Sequence, residues 1–234
     1  MADKPSPPTV KVIYHGHSNI EIHAGEYIIQ IDPFYTSNPL ADIKADQVNP
    51  THILLTHAHF DHVEDAEAIS KRTGAPILAN YEIACYYQKK GCPTIAMNHG
   101  GGLDLPFGRV NLTQAFHTSS FADGTYGGQP AGLIVQTLGK IIYHAGDTAL
   151  FGDMKLIGQL WKIDLACLPI GDCFTMGPDH AILAAEMLGA RCVLPVHYNT
   201  FPQIKQDAAA FARSLKQRIG ITAAPLRSGE SVAL

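Results

Sequence analysis

The chain has 234 residues, 46% of them hydrophobic and 16% charged, with a formal net charge of −4. That is enough apolar material for a substantial core and too little charge for a mainly disordered chain. The balance of 17 basic against 21 acidic residues gives no polycation for generic nucleic-acid or anionic-membrane binding. No run approaches the roughly eighteen consecutive apolar residues of a membrane-spanning helix; the richest, Ile53-Leu54-Leu55 and Ile163 to Ile170, are strand-sized.

Residues 1–9 open Met-Ala-Asp-Lys-Pro-Ser-Pro-Pro, lack the apolar stretch of a signal peptide and read as a frayed tail. Residues 10–234 contain no Pro/Ser linker, repeat or charge block and are expected to form one α/β domain. Val10 to Tyr14, Ile20 to His23 and Tyr27 to Asp32 predict a strand meander split at Gly16 and Ala24-Gly25. His52 to Thr56 is a further strand. Asp61-x-x-Glu64 has capping-box spacing, and Asp65 to Thr73 predicts a helix stopped at Gly74. Pro76 to Ala79 is a strand, and Asn80 is expected to cap a helix running to Lys90 and ending at Gly91. Gly100 to Leu105 reads as a loop, Arg109 to Phe116 as a strand, and Ser119 to Gln129 as a long polar loop that borders a site.

Leu133 to Leu138 and Lys140 to Tyr143 pair as a hairpin through Gly139. Asp153 to Leu160 is helical and Leu165 to Pro169 a strand. Pro178 to Leu188 is a helix with Pro in its first turn and Gly189 past its end. Cys192 to Val196 is a strand, and Asp207 to Ile219 a helix stopped at Gly220. The five cysteines, Cys85, Cys92, Cys167, Cys173 and Cys192, form no Cys-x-x-Cys pair. A disulfide framework is not expected, and a reducing cytoplasm is the default compartment.

The strongest chemical signal is His57-Ala58-His59-Phe60-Asp61-His62, between an apolar strand and a helix. Alternate residues at a strand end share a face, so His57 and His59 can converge on one point, while Asp61 and His62 on the following turn aim at a second. Imidazole and carboxylate suit Zn²⁺, Fe²⁺ and Mn²⁺. Other donors recur at predicted strand ends: His117, Asp147 after Tyr143-His144-Ala145-Gly146, and His197 after Val193 to Val196. The carboxyl edge of the strands is where α/β proteins place their sites.

His57-x-His59-x-Asp61-His62 with His117, Asp147 and His197 resembles the metallo-β-lactamase superfamily. Within it the chain is similar to a group of metal-dependent hydrolases related to ascorbate-6-phosphate lactonases and N-acylphosphatidylethanolamine phospholipases. The likeness rests on Tyr14-His15-Gly16-His17-Ser18, Asp32-Pro33-Phe34, Gly128 to Gly132, Tyr143 to Thr148, Phe174 to Pro178 and Pro195 to Pro202, and spans residues 10 to 230. It implies a four-layer αββα sandwich, with two mixed sheets flanked by helices and two divalent metal ions at one edge. Zn²⁺ is the first expectation, with Mn²⁺ or Fe²⁺ as alternatives. By the same resemblance His57, His59 and His117 hold one ion, Asp61, His62 and His197 the other, and Asp147 bridges. Gly171-Asp172-Cys173 and His180 depart from the group and bear on specificity.

The implied activity is hydrolysis of an ester, lactone or phosphodiester in a small or medium-sized substrate by a metal-activated water, with Asp61 and Asp147 as the carboxylates closest to the chemistry. No Gly-x-Ser-x-Gly elbow is present. His15 and His17 are either turn histidines or groups near ligands and substrate. Asp32 is either a turn residue or the group that sets a ligand histidine's tautomer. His144 is read as a supporting or packing residue, and Tyr198 and Asn199 as substrate neighbours; His23, His52 and His99 are assigned no role. A metal-dependent nuclease and a metal-binding module without turnover are the alternatives. No nucleic-acid partner and no membrane span are expected, and a homo-oligomer is compatible with this reading.

Overall fold

The computed structural model describes residues 9–234, so all but the last residue of the expected tail lies outside the described residues. Strands β1 (Val10–Tyr14), β2 (Ile20–Ala24) and β3 (Tyr27–Ile31) form the antiparallel meander expected from sequence. β4 (His52–Leu54), β5 (Ile77–Asn80) and β6 (Thr94–Met97) extend it in parallel from β3, and β14 (Ser231–Ala233) pairs with β1 at the far edge. The second seven-stranded sheet is antiparallel through β7 (Gly102–Leu105), β8 (Gly108–Gln114), β9 (Ala131–Thr137) and β10 (Lys140–His144). It continues in parallel through β11 (Leu165–Pro169), β12 (Cys192–Val196) and β13 (Thr222–Ala223).

Residue alternation shows how these sheets are layered. Leu54 and Leu78 point into the core shared with Leu133 and Val135 of the other sheet, while their neighbours Ile53, Leu55, Ile77 and Ala79 pack beneath the helices. A strand buried on both faces reads as a continuous apolar run, which is how Ile53-Leu54-Leu55 reads. Helices α2 (Ala66–Thr73) and α3 (Tyr81–Lys89) cover the first sheet through Ile69, Ile83 and Tyr87. Helices α4 (Met154–Leu160), α5 (Pro178–Leu188) and α6 (Ala208–Ile219) cover the second. The result is a sandwich of two mixed sheets flanked by helices. No helix of the described residues is long and apolar enough to cross a membrane.

Several expectations need correction. Gly100 to Leu105 is not a loop: its last four residues are β7, paired with β8. β6, β13 and β14 carry too little alternating apolar sequence to stand out. The Asp61-x-x-Glu64 capping box does not form. Asp61 lies inside the short helix α1 (Phe60–Val63), and Glu64 instead accepts a hydrogen bond from the Ser37 N–H at 2.8 Å.

Strand directions bring the site together. β1 and β3 both run antiparallel to β2, and β4 runs parallel to β3, so all three end at the same edge. β8 and β10 share one direction against β9, and β11 and β12 continue it. The segments carrying His17, Asp32, His57, His117, Asp147 and His197 each follow one of these strand ends.

Candidate metal centre

The structure gathers all seven donors of the resemblance. His57, His59 and His117 each offer an atom within 4.8 Å of the others. Asp61, His62 and His197 form a second group on the same criterion, and His17 joins it. Asp147 stands between the groups. Its Oδ2 lies 3.0 Å from His197 Nε2, 3.3 Å from His62 Nε2, 3.5 Å from His117 Nε2 and 3.8 Å from His57 Nε2. Donors about 2.0–2.2 Å from a shared tetrahedral ion stand roughly 3.3–3.6 Å from one another, a range that the His62 and His117 distances meet and the His197 and His57 distances bracket. His62 Nε2 and Asp147 Oδ1 are buried and have no hydrogen-bond partner. Buried polar atoms are ordinarily satisfied, and a divalent ion would satisfy these. The residues present fit the metals that the fold implies.

Electrostatics point the same way. Burial, reinforced by the His62 charge, holds the His57 imidazole well below its usual range. Burial also lowers His59 and His117. The neutral imidazole that results is the form that ligates a metal. Asp147 is held well below the usual carboxylate range; burial opposes this, but the charges of His197 and His62 outweigh it. His62 goes the other way. Burial works against its proton, yet Asp147 and Asp32 raise it well above the usual value. The carboxylates thus favour positive charge in this buried centre, which a bound cation would supply.

Supporting contacts hold the donors in place. Asp32 accepts hydrogen bonds from the Thr56 N–H at 2.9 Å, the Thr56 hydroxyl at 2.6 Å and His62 Nδ1 at 2.8 Å. This leaves His62 Nε2 facing Asp147. His144 accepts from the Gly146 N–H at 3.1 Å and donates through Nε2 to the Ser18 carbonyl at 2.9 Å, which braces the turn before Asp147. A Cβ on Gly171 would stand 2.2 Å from the His197 carbonyl oxygen, so that close approach requires glycine. His17, Asp32 and His197 have φ of 59°, 47° and 53°, left-handed values that cost about 1–3 kcal/mol each in a non-glycine residue. Such strain persists only where surrounding contacts hold it.

His17 is the residue that sequence placed least well. It is buried, its Nε2 donates to Asp61 Oδ2 at 3.1 Å, and its Nδ1 lies 2.8 Å from the Thr200 hydroxyl. Burial and the nearby His197 charge lower its pKa to about 4, so it stays neutral and donates. Asp61 is lowered in turn, the His17 hydrogen bond and His62 outweighing burial. Strand alternation would put His15 and His17 on one face, but Gly16 at φ 90° and His17 itself turn the chain. His15 therefore points away and meets Asp42 at 2.8 Å, outside the donor groups.

Tyr198 packs into the main core rather than lining the site cavity. The side chain of Asn199 is occupied in accepting from the Gln206 N–H at 2.8 Å. The residues of this stretch that reach the cavity are Phe201 and Gln203. Asp172, Cys173 and His180 are exposed and do not line it; the turn made by the first two instead presents Phe174. The Ser119 to Gln129 loop borders the site as expected, with Ser120, Phe121 and Ala122 on the cavity wall. That cavity, about 630 Å³, opens onto His59, Asp61, His117, Asp147 and His197. A larger depression of about 840 Å³ between residues 35–47 and α2 contains none of the donors.

Known proteins match along nearly the whole chain. A family model described as a beta-lactamase superfamily domain matches residues 22–198. A UPF0173 metal-dependent hydrolase of Exiguobacterium sp. is 51% identical over 212 residues, covering 89% of this chain and 95% of its own. A protein of the same description from Bacillus cereus is 49% identical over 230 residues, covering 96% and 100%. Among solved structures, Igni18, a metallo hydrolase from the archaeon Ignicoccus hospitalis, aligns with a TM-score of 0.89 at 36% identity, covering 97% of this chain and 98% of its own. An isothiocyanate hydrolase from Delia radicum gut bacteria, at 20% identity, 96% and 98% coverage and a TM-score of 0.74, shares the fold.

Proposed function

The chain belongs to the beta-lactamase superfamily domain family and is a metal-dependent hydrolase, and from that premise we propose that it uses two divalent ions to cleave an ester, lactone or phosphodiester bond in a small or medium-sized molecule. His57, His59 and His117 would hold one ion and Asp61, His62 and His197 the other, with Asp147 close enough to serve either. Bound ions of this kind acidify water and offset the negative charge that develops on the scissile group. The remaining work belongs to the chain. Asp61, oriented by the His17 hydrogen bond, would accept a proton from the attacking water. Asp32 and His144 keep His62 and the Asp147 turn in position.

The observation that supports this reading most strongly is the position of the Asp147 carboxylate. Four imidazole nitrogens, from segments of both sheets, lie within 3.8 Å of its Oδ2. The test is a panel of carboxylic esters, lactones and phosphodiesters presented to Zn- and Mn-loaded protein, with Asp61→Ala as the blank. Turnover that needs metal and falls by about 10²-fold or more in Asp61→Ala is expected. Equal turnover by Asp61→Ala, or none by either protein with metal bound, contradicts the proposal.

A further inference from the structure

The cavity over the metal centre has an unusual wall. Phe60 is 48% exposed and Phe174 is 53% exposed, and both line it. Phe201 lines it too, with its ring centre 6.3 Å from that of Phe60. Phe60 sits in sequence between His59 and Asp61, and its ring lines the same cavity as both donors. Phe174 is presented by a turn in which Asp172 and Cys173 have φ of 62° and 57°. That turn is tied to the centre, because the Met176 N–H bonds the carbonyl of Thr148, which follows Asp147. Large apolar side chains left in water around a concave site mark a surface that a ligand covers.

Charge sharpens the assignment. Among the described residues, no Lys or Arg lines the cavity; its ionisable side chains are Asp61, Asp147 and the three histidines His59, His117 and His197. Phosphate-bearing and nucleic-acid substrates are held by guanidinium forks and ammonium groups outside the reacting centre. Here the groups flanking the scissile bond would meet phenyl rings instead.

We propose that the substrate is an uncharged carboxylic ester or lactone whose acyl group, an aryl or medium-length alkyl chain, lies on Phe60, Phe174 and Phe201. This rests on the hydrolase reading of the metal centre. In the reaction the water oxygen bonds to the acyl carbon and the acyl C–O bond breaks. One proton of the water ends on the departing alcohol, and the other is released as the carboxylate forms. Burying part of each added methylene against the aromatic wall strengthens binding of the acyl group.

Two measurements on the Zn-loaded full chain test this. The first is kcat/KM for 4-nitrophenyl acetate, butyrate and octanoate beside bis(4-nitrophenyl) phosphate. We expect a rise of about twofold for each added methylene, a phosphodiester slower than the octanoate, and a series flattened by Phe174→Ser. The second, independent of turnover, is the affinity for octanoate and for acetate by calorimetry; octanoate is expected to bind at least tenfold more tightly, with the gap closing in Phe174→Ser. Octanoate bound no more tightly than acetate, or a phosphodiester preferred over every ester, overturns the proposal. If no compound is turned over but octanoate keeps its advantage, the aromatic acyl site stands and the hydrolase reading fails.

Discussion

Asp32 carries an unusual load for one side chain. It is fully buried, and its carboxylate answers three donors, two of them from Thr56 and one from His62. Removing the carboxylate leaves those donors unpaired and frees the His62 ring to turn. Asp32→Ala is therefore predicted to weaken metal at the Asp61, His62 and His197 group by about 10–100-fold, as supporting partners of ligand histidines do. Competition with a chromogenic chelator would measure this, and an unchanged affinity would show that His62 needs no such anchor. Protonation gives a second prediction. His17, His57, His59 and His117 all bind protons more weakly in the fold than at their usual value of about 6.5. The unfolded chain then takes up more protons below about pH 6.5, so the metal-free fold loses stability as pH falls from there. His17, lowered to about 4, accounts for roughly 1.5 kcal/mol of that loss between pH 6.5 and 5. His62, raised in the fold, contributes the opposite way, and its stabilisation fades only as pH climbs through its folded value. A urea midpoint of the metal-free protein that is higher at pH 5 than at pH 6.5 would contradict this balance.

At the scale of elements, the β9–β10 hairpin makes its own prediction. Its turn residues Leu138 and Gly139 have φ of 47° and 75°, the positive pair that suits Asn-Gly. Leu138 is among the exposed large hydrophobics, so little burial is at stake. Leu138→Asn should stabilise the fold by about 0.5–1 kcal/mol, visible as a higher urea midpoint with an unchanged slope. A lower midpoint would mean that the leucine packs usefully. The hairpin also illustrates what could be read in advance. Apolar runs separated by Gly139 were enough to locate it, and β11, α5 and β12 begin and end where they were expected, α5 between its Pro178 and Gly189 signals. β6, β7 and β14 were not legible, because edge strands gain their order from hydrogen bonds to a neighbour rather than from an apolar pattern of their own. The donor set was legible by resemblance and by its recurrence at strand ends. The swing of His15 away from His17 was not, because it depends on a left-handed backbone that a histidine rarely adopts. Nor was the aromatic wall, whose members come from three distant segments.

For the molecule as a whole, the metal centre is a seam. One group of donors follows strands of the first sheet, and His117, Asp147 and His197 follow strands of the second. The two ions proposed there would link the two halves of the sandwich and stabilise the folded chain by mass action, about 4 kcal/mol for each ion when free metal is a thousandfold above its Kd. Stripping with a chelator at pH 7.5 should lower Tm by at least about 10 °C, the share of a single ion, since each kcal/mol is worth roughly 2–4 °C in a domain of this size. A Tm indifferent to metal would separate the donor cluster from the stability of the fold. The most direct measurement is elemental analysis of tag-free protein equilibrated with Zn²⁺ and then freed of excess. The proposed pair of ions predicts about two equivalents of zinc per chain, with less retained by His57→Ala and by Asp147→Ala. A folded chain that stays metal-free at saturating Zn²⁺ and Mn²⁺ would contradict it.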